Sequence, residues 1–199
     1  MNGNNRDLIV TYIDSSNWQN GINWLRQIKS IGLSATILIN CLDDPQRNKL
    51  AELGFSTFDI INKYNDHRDI FISIDFLLDN FDKCLFCKCN FSLPTSLPKT
   101  HDLVVPKNNV ELFDLVLSIV NLQDRAKAYK TINEKILLVK NQLLSTNFIY
   151  GTKEFWQNFI AFLKLSYDEG YLEERDFCDD LALNLHVAFF ESLNYEVIC

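Results

Sequence analysis

The sequence predicts an α/β fold, a mainly parallel sheet flanked by helices. Three observations carry this reading. Apolar β-type runs and amphipathic helical stretches alternate from residue 8 to about residue 91, the pattern of consecutive βαβ units. Apolar residues make up 47% of the 199 positions, enough to bury a sizeable core. There is no internal repeat, low-complexity tract or obvious linker, so the whole chain, 1–199, reads as one domain.

The elements follow in order. Leu8-Ile9-Val10-Thr11-Tyr12-Ile13 is a continuous β-type run. Trp18, Ile22, Leu25 and Ile28 then recur at helical spacing until Gly32 ends the stretch. Ala35–Cys41 is a second strand, and Asp44-Pro45 caps and starts a second helix that Gly54 closes. Phe55–Ile61 gives a short third strand. Asp66–Asn80 is helical, with Ile70, Ile74, Leu77 and Leu78 on one face, and Cys84–Phe91 is strand four. Pro94 and Pro98 break the chain after it. His101–Val105 reads as a strand, Glu111–Leu122 and Asp124–Gln142 as helices, and Leu143–Tyr150 as a buried strand.

Composition excludes several functions. The net charge is −7 and no block of Lys or Arg exists, so a nucleic-acid partner is excluded. An acidic chain still accommodates a nucleotide, because backbone N–H groups at helix starts bind anions. No apolar run approaches the roughly 20 residues that cross a bilayer. Met1–Asp7 lacks the apolar segment of a signal peptide, which makes a cytoplasmic location the expectation. Six cysteines without such a signal read as reduced thiols. Cys84, Cys87 and Cys89 invite a zinc reading, but a fourth ligand is missing and His67 and His101 are remote, so buried thiols are the competing reading.

The last third carries the most chemistry. Leu144-Ser145-Thr146-Asn147-Phe148-Ile149-Tyr150-Gly151-Thr152 runs into a helical stretch in which Phe155, Trp156, Phe159, Ile160, Phe162 and Leu163 share a face. Thr152 is placed to cap that helix, with Glu154 in its first turn. Gly151 allows a backbone turn or the close approach of a ligand. The next helical stretch opens Asp179-Asp180-Leu181-Ala182-Leu183-Asn184. Leu181, Leu185, Ala188 and Phe189 form its apolar stripe, and Asp180 and Asn184 lie one turn apart beside it. Those acids either complement a helix dipole or line a site.

Taken in order, these motifs resemble the nucleotide-diphospho-sugar glycosyltransferase (GT-A) family. There the pattern runs roughly N-x-G-F-I-x-G-(S/T), a helix, then D-Q-x-A-L-N. Phe148 stands where the family has Gly, and Asp180 where it has Gln. The resemblance extends over the whole chain, with a nucleotide side at about 7–105 and an acceptor side at about 106–199. Val10-Thr11-Tyr12-Ile13-Asp14 is similar to the first strand and base-and-ribose loop, which implies nucleotide contacts from Thr11, Tyr12 and Asp14. It implies an acceptor side at Asn147, Gly151 and Thr152, and a catalytic group of Asp179, Asp180 and Asn184. The departure is at strand four. The family's Asp-x-Asp there holds Mn²⁺ or Mg²⁺, whereas this chain reads Cys87-Lys88-Cys89-Asn90 with no acid. Hard cations prefer oxygen ligands, so the usual metal site is expected to be lost and no cofactor is assigned. Lys88 either offers its ammonium to the diphosphate in place of the metal or is simply solvated.

Two functions follow from the resemblance. The first is a glycosyltransferase that moves a sugar from a nucleoside diphosphate to a carbohydrate, lipid or protein acceptor without the Asp-x-Asp metal. The second is a catalytically inactive relative that binds a sugar nucleotide or a protein. Loss of the strand-four acids favours the second, while Asp179, Asp180 and Asn184 favour the first. A thiol or zinc protein built on the cysteine cluster is a third, minor reading.

Overall fold

In the computed structural model of the chain, residues 7–32, 35–40, 42–64, 68–91, 101–140, 142–172, 178–190 and 193–198 are described. His67, Pro94 and Pro98, named above, lie outside these. The fold is mixed α/β, with open and mainly parallel sheet flanked by helices. Two compact units are distinguished, Met1–Leu97 and Pro98–Cys199.

The first unit contains β1 (Asp7–Ile13), α1 (Trp18–Ser30), β2 (Thr36–Ile39), α2 (Asp44–Glu52), β3 (Ser56–Asp59), α3 (Arg68–Leu77) and β4 (Lys83–Cys87). Its strands lie in the order β3-β2-β1-β4 and all pair in parallel. The continuous apolar runs are what strands covered on both faces require. Val10, Ile13, Ile37, Leu38, Leu85 and Phe86 are at most 1% exposed. Ile22, Leu25 and Ile28 form the buried stripe of α1, and Gly32 after it adopts φ +75°, a left-handed turn that suits glycine.

Two details differ from the sequence expectation. Asp43, not Asp44, caps α2; its side chain accepts from the Gln46 N–H while Gln46 answers in a reciprocal capping box. Strand four stops at Cys87 rather than Phe91. The chain turns there, with the Phe91 N–H donating to the Lys88 carbonyl at 2.9 Å.

The second unit contains β5 (Leu103–Asn108), α4 (Leu112–Val116), α5 (Leu122–Ile132), a π-helical turn (Asn133–Leu137), α6 (Leu138–Lys140), β6 (Leu143–Leu144), β7 (Phe148–Thr152), α7 (Lys153–Asp168), α8 (Cys178–Phe189) and β8 (Tyr195–Ile198). Here β5 pairs antiparallel with β6 and β7 and parallel with β8. The run expected as one strand, Leu143–Tyr150, is two. Ser145-Thr146-Asn147 interrupts it because the Thr146 N–H turns to Asp180 of α8 instead of to a neighbouring strand. The expected helix Glu111–Leu122 is likewise split, since Asn121 caps a new helix by accepting from Gln123 and Asp124 N–H groups. Phe155, Trp156, Phe159 and Ile160 of α7 and Leu181, Leu185 and Ala188 of α8 are buried as expected, but Phe189 is 58% exposed.

Candidate functional site

Strand order directs attention in the first unit to the carboxyl ends of β1 and β4. From β1 the chain crosses to β2 and on to β3 on one side, then places β4 on the other side of β1. Such a reversal of strand order opens a crevice at the strand ends, where ligands bind in open parallel sheets. Tyr12 and Asp14 stand at the end of β1, and Lys88 and Cys89 follow β4.

Asp14 organises this end. Its Oδ1 accepts from the Ser16 hydroxyl at 2.6 Å, the Ser16 N–H at 2.8 Å and the Asn17 N–H at 3.0 Å. The Tyr12 hydroxyl donates to Oδ2 at 3.0 Å. Burial by itself would raise the carboxyl pKa, but these hydrogen bonds outweigh it and hold Asp14 below its usual value. Thr11 is fully buried, and its hydroxyl donates to the Cys87 carbonyl at 2.7 Å. It therefore ties β1 to β4 and positions its neighbours instead of reaching outward.

The end of β4 does not suit a hard divalent cation. Burial pushes the Cys87 thiol up to about 12, and its sulfur lies near the Lys88 and Phe91 carbonyls; a soft sulfur is in any case a poor ligand for a hard cation. The Cys89 thiol is also raised, by its burial first and then by the Asp14 charge. Cys84 sits on the opposite face of β4 from Cys87, so the three thiols do not share one coordination sphere. Among the described residues, no group of three His, Cys, Asp or Glu side chains gathers as metal ligands would. Lys88 is exposed, and no carboxylate pairs with it among the described residues.

In the second unit the expected residues fall at two poles. At one, Asp180 is 8% exposed and its carboxylate is held on both sides. Oδ1 accepts from the Thr146 N–H at 2.6 Å and the Thr146 hydroxyl at 2.7 Å, and Oδ2 from the Asn108 side chain at 2.7 Å. Asn184, fully buried, accepts from the Leu144 N–H at 3.0 Å and donates to the Leu144 and Asp180 carbonyls at 2.9 and 2.7 Å. These two side chains clamp α8 onto β6 and the end of β5. Asp179, half-buried, is carried beside the clamp, and Asn147 is the turn residue just before β7.

Gly151 and Thr152 lie at the other pole. β7 separates them from Asn147, at about 3.3 Å per residue, so Thr152 is roughly 16 Å away along the strand. Gly151 does not have a positive φ, and the space above it is filled by protein. A Cβ built there would meet the Phe155 ring at 2.5 Å, so the close approach is that of Phe155. The Thr152 hydroxyl accepts from the Phe155 N–H at 3.2 Å, the expected cap of α7.

This second pole holds what the sequence reading passed over. Asp102, Thr152, Glu154, Asn158, His186 and Phe190 border a pocket of about 260 Å³. His186 is 1% exposed, enclosed by the rings of Phe155, Phe159, Phe162 and Phe190 at centroid distances of 5.6, 5.8, 5.7 and 4.4 Å. Its Nδ1 has no hydrogen-bond partner among the described residues. A lone His on an otherwise apolar helical face was the available signal.

Burial pulls the His186 pKa down to about 4. The unfolded chain, titrating near 6.5, then binds a proton that the folded chain refuses across the window from about 6.5 to 4. Stability is therefore full above pH 6.5 and falls as pH drops through the window. His186 should take about 2 kcal/mol of stability with it between pH 7.5 and pH 5. The groups facing it are the four phenylalanines, with Asp102 and Glu154 bordering the same pocket. Melting curves at the two pH values check this, and His186→Phe should show a visibly smaller drop than the parent.

No protein-family model and no curated protein matches the chain. Among solved structures it is similar to the glycosyltransferase GlyE of Streptococcus pneumoniae TIGR4, with a TM-score of 0.50 and 13% sequence identity. That likeness covers 98% of this chain and 46% of the other, so the chain spans about half the length of that protein. At this identity the similarity establishes a fold like that of a glycosyltransferase. No helix among the described residues is long and apolar enough to cross a membrane.

Proposed function

We propose that the chain is a glycosyltransferase taking a nucleoside-diphosphate sugar as donor and working without an Asp-x-Asp metal. The observation that carries this reading is the reversal of strand order between β1 and β4, with Tyr12, Asp14 and Lys88 at the strand ends it opens. In this reading Tyr12 and Asp14 take the base and ribose, and Thr11 keeps the two strand ends in register. The Lys88 ammonium faces the diphosphate. For the second unit, the reading takes Asp179 as the catalytic carboxylate, on the helix that Asp180 and Asn184 hold, and Asn147 as a residue of the acceptor side. Gly151 and Thr152, at the far end of β7, would meet only an extended acceptor. The sugar C1–O bond to the diphosphate breaks, a C1–O bond to the acceptor forms, and the proton of the acceptor hydroxyl passes to the departing diphosphate or to solvent. Lys88 stabilises the charge left on the diphosphate.

A second reading, a catalytically inactive binding protein, is favoured by one observation. The end of β4 offers thiols, an amide and a lysine where carboxylates would hold a cation.

Thermal melting with uridine, guanosine, adenosine, cytidine and thymidine diphosphates, and with their sugar forms, tests the proposal. A bound nucleotide at about 100 times its dissociation constant should add roughly 2.7 kcal/mol, or about 5–10 °C in Tm. The shift should be the same with and without Mn²⁺. Lys88→Ala should weaken it about tenfold or more, since a charge-assisted hydrogen bond contributes about 1.5–3 kcal/mol. Absence of a saturable shift with every nucleotide overturns the donor assignment.

A further inference from the structure

The end of β5 opens into another pocket of the second unit, of about 360 Å³, within the range of small-molecule sites at about 300–1,000 Å³. The segment after β5, the start of α4, the far part of α5 with its π-helical turn, and the approach to β6 all border it. Asn108 fixes one wall. Its amide donates to Asp180 at 2.7 Å, and its side-chain oxygen accepts from the Val110 N–H at 3.0 Å.

The π-helical turn points independently to a site. At about 100° per residue, regular α-helical winding would leave Leu137 about 80° out of line with Tyr129. A π-turn rotates less per residue, so Asn133–Leu137 carries Leu137 back toward the Tyr129 side, and both border the pocket. Such turns are rare and are found frequently at functional sites.

The lining selects the chemistry. Lys107, Asn109, Glu111 and Gln142 supply polar groups, and their side chains make no hydrogen bond or ion pair among the described residues. One cation and one anion balance, which favours a neutral ligand over a phosphate. Each amide both donates and accepts, as a hydroxyl group does. Phe113, 65% exposed, and Tyr129, 42% exposed, add ring faces that suit the apolar C–H face of a sugar. A purely apolar ligand would leave the amides unpaired, and a small polyol would leave the rings bare.

We propose that this pocket binds a neutral carbohydrate, a hexopyranose or a short glycan. Phe113 and Tyr129 lie against the C–H face of its ring, and Asn109 and Gln142, with Lys107 and Glu111, take its hydroxyls. The assignment does not rest on the donor site of the first unit, and it would serve a transferase or an inactive binding protein alike.

NMR titration without any nucleotide tests it, with methyl β-glucoside, methyl β-galactoside, cellobiose and lactose as probes. Glycerol serves as the hydroxyl-bearing probe that has no ring face. At least one of the four sugars should move the Phe113 or Tyr129 signals saturably and bind about tenfold or more tightly than glycerol. Glucose 6-phosphate should bind no more tightly than the best of the four. Phe113→Ala, at an exposed position that leaves the core intact, and Gln142→Ala should each weaken that sugar about threefold or more. Phe76→Ala on α3, at an equally exposed ring of the first unit, should leave binding unchanged. Saturation by none of the four sugars overturns the assignment, as does equal binding of glycerol or tighter binding of glucose 6-phosphate. Full binding in both Phe113→Ala and Gln142→Ala also overturns it, because the sugar would then sit elsewhere. So does a dimer in sedimentation that Phe113→Ala dissolves, because a second copy of the chain would then cover these rings.

Discussion

Asp180→Ala should cost about 3 kcal/mol or more of stability, seen as a fall of roughly 6–12 °C in Tm. The argument is the hydrogen-bond inventory. The substitution takes the acceptor from the Thr146 N–H, the Thr146 hydroxyl and the Asn108 amide, all of which donate to Asp180 within 2.7 Å, and leaves Asn108 only its longer bond to the Leu144 carbonyl. A hydrogen bond to a charged acceptor contributes about 1.5–3 kcal/mol, and a donor left buried loses its solvation as well. A carboxylate that merely complements the dipole of α8 would contribute only about 0.3–1 kcal/mol. Asn184→Ala should be of similar size, because it takes the acceptor from the buried Leu144 N–H and leaves the Leu144 carbonyl only the longer bond from Asn108. Both side chains anchor α8 to the same short segment, Leu144–Thr146, so the double variant should lose less than the sum of the singles. Circular dichroism melts of the three variants measure this. A loss below about 1 kcal/mol for Asp180→Ala would reduce the clamp to a dipole effect.

Much of the fold was legible because its signals are local. Continuous apolar runs marked β1, β2 and β4, and Trp18 to Ile28 marked the buried face of α1. What was missed depends on partners far away in sequence. Nothing near Ser145-Thr146-Asn147 says that Asp180 will take the Thr146 N–H and break the strand, since that partner is 34 residues on. Asn108 sits 72 residues before the carboxylate it serves. The C-terminal strand Tyr195–Ile198 was passed over although Tyr195, Val197 and Ile198 are β-type residues, because so short a run has meaning only beside β5. At the candidate site, the pairing of Asp180 with Asn184 one turn apart was visible as helical spacing. Its use as a clamp was not, because spacing does not reveal what lies opposite. In the sequence His186 is only a lone imidazole on an apolar helical face, and the surrounding rings and the pocket beside it are what give it interest.

Asp179→Asn is expected to lower turnover of a sugar nucleotide by about a hundredfold or more while leaving nucleotide affinity unchanged. The expectation rests on the proposed transferase reading and on the division of labour within α8. Asp180 and Asn184 have their polar atoms committed to Thr146, Asn108 and Leu144. Asp179, one residue earlier in the first turn and half-buried, is the carboxylate of this turn to which the transferase reading gives the catalytic role. A carboxylate that stabilises positive charge at the anomeric carbon acts mainly in the transition state, so its loss appears in kcat and in kcat/KM together. Electrostatic groups of this kind typically contribute about a hundredfold or more. Asn keeps the size and removes the charge, so the melting temperature should move by no more than the 0.3–1 kcal/mol of a helix-dipole partner. Asp180→Asn separates the two roles. It should lower stability through the Thr146 and Asn108 donors, and it should lower turnover only to the extent that α8 shifts. Turnover retained in Asp179→Asn with a small loss of stability would remove Asp179 from catalysis. Nucleotide binding by the parent chain, with no turnover on any donor, would make the inactive binding protein the correct reading, because Lys88 alone would then hold the diphosphate without promoting its departure.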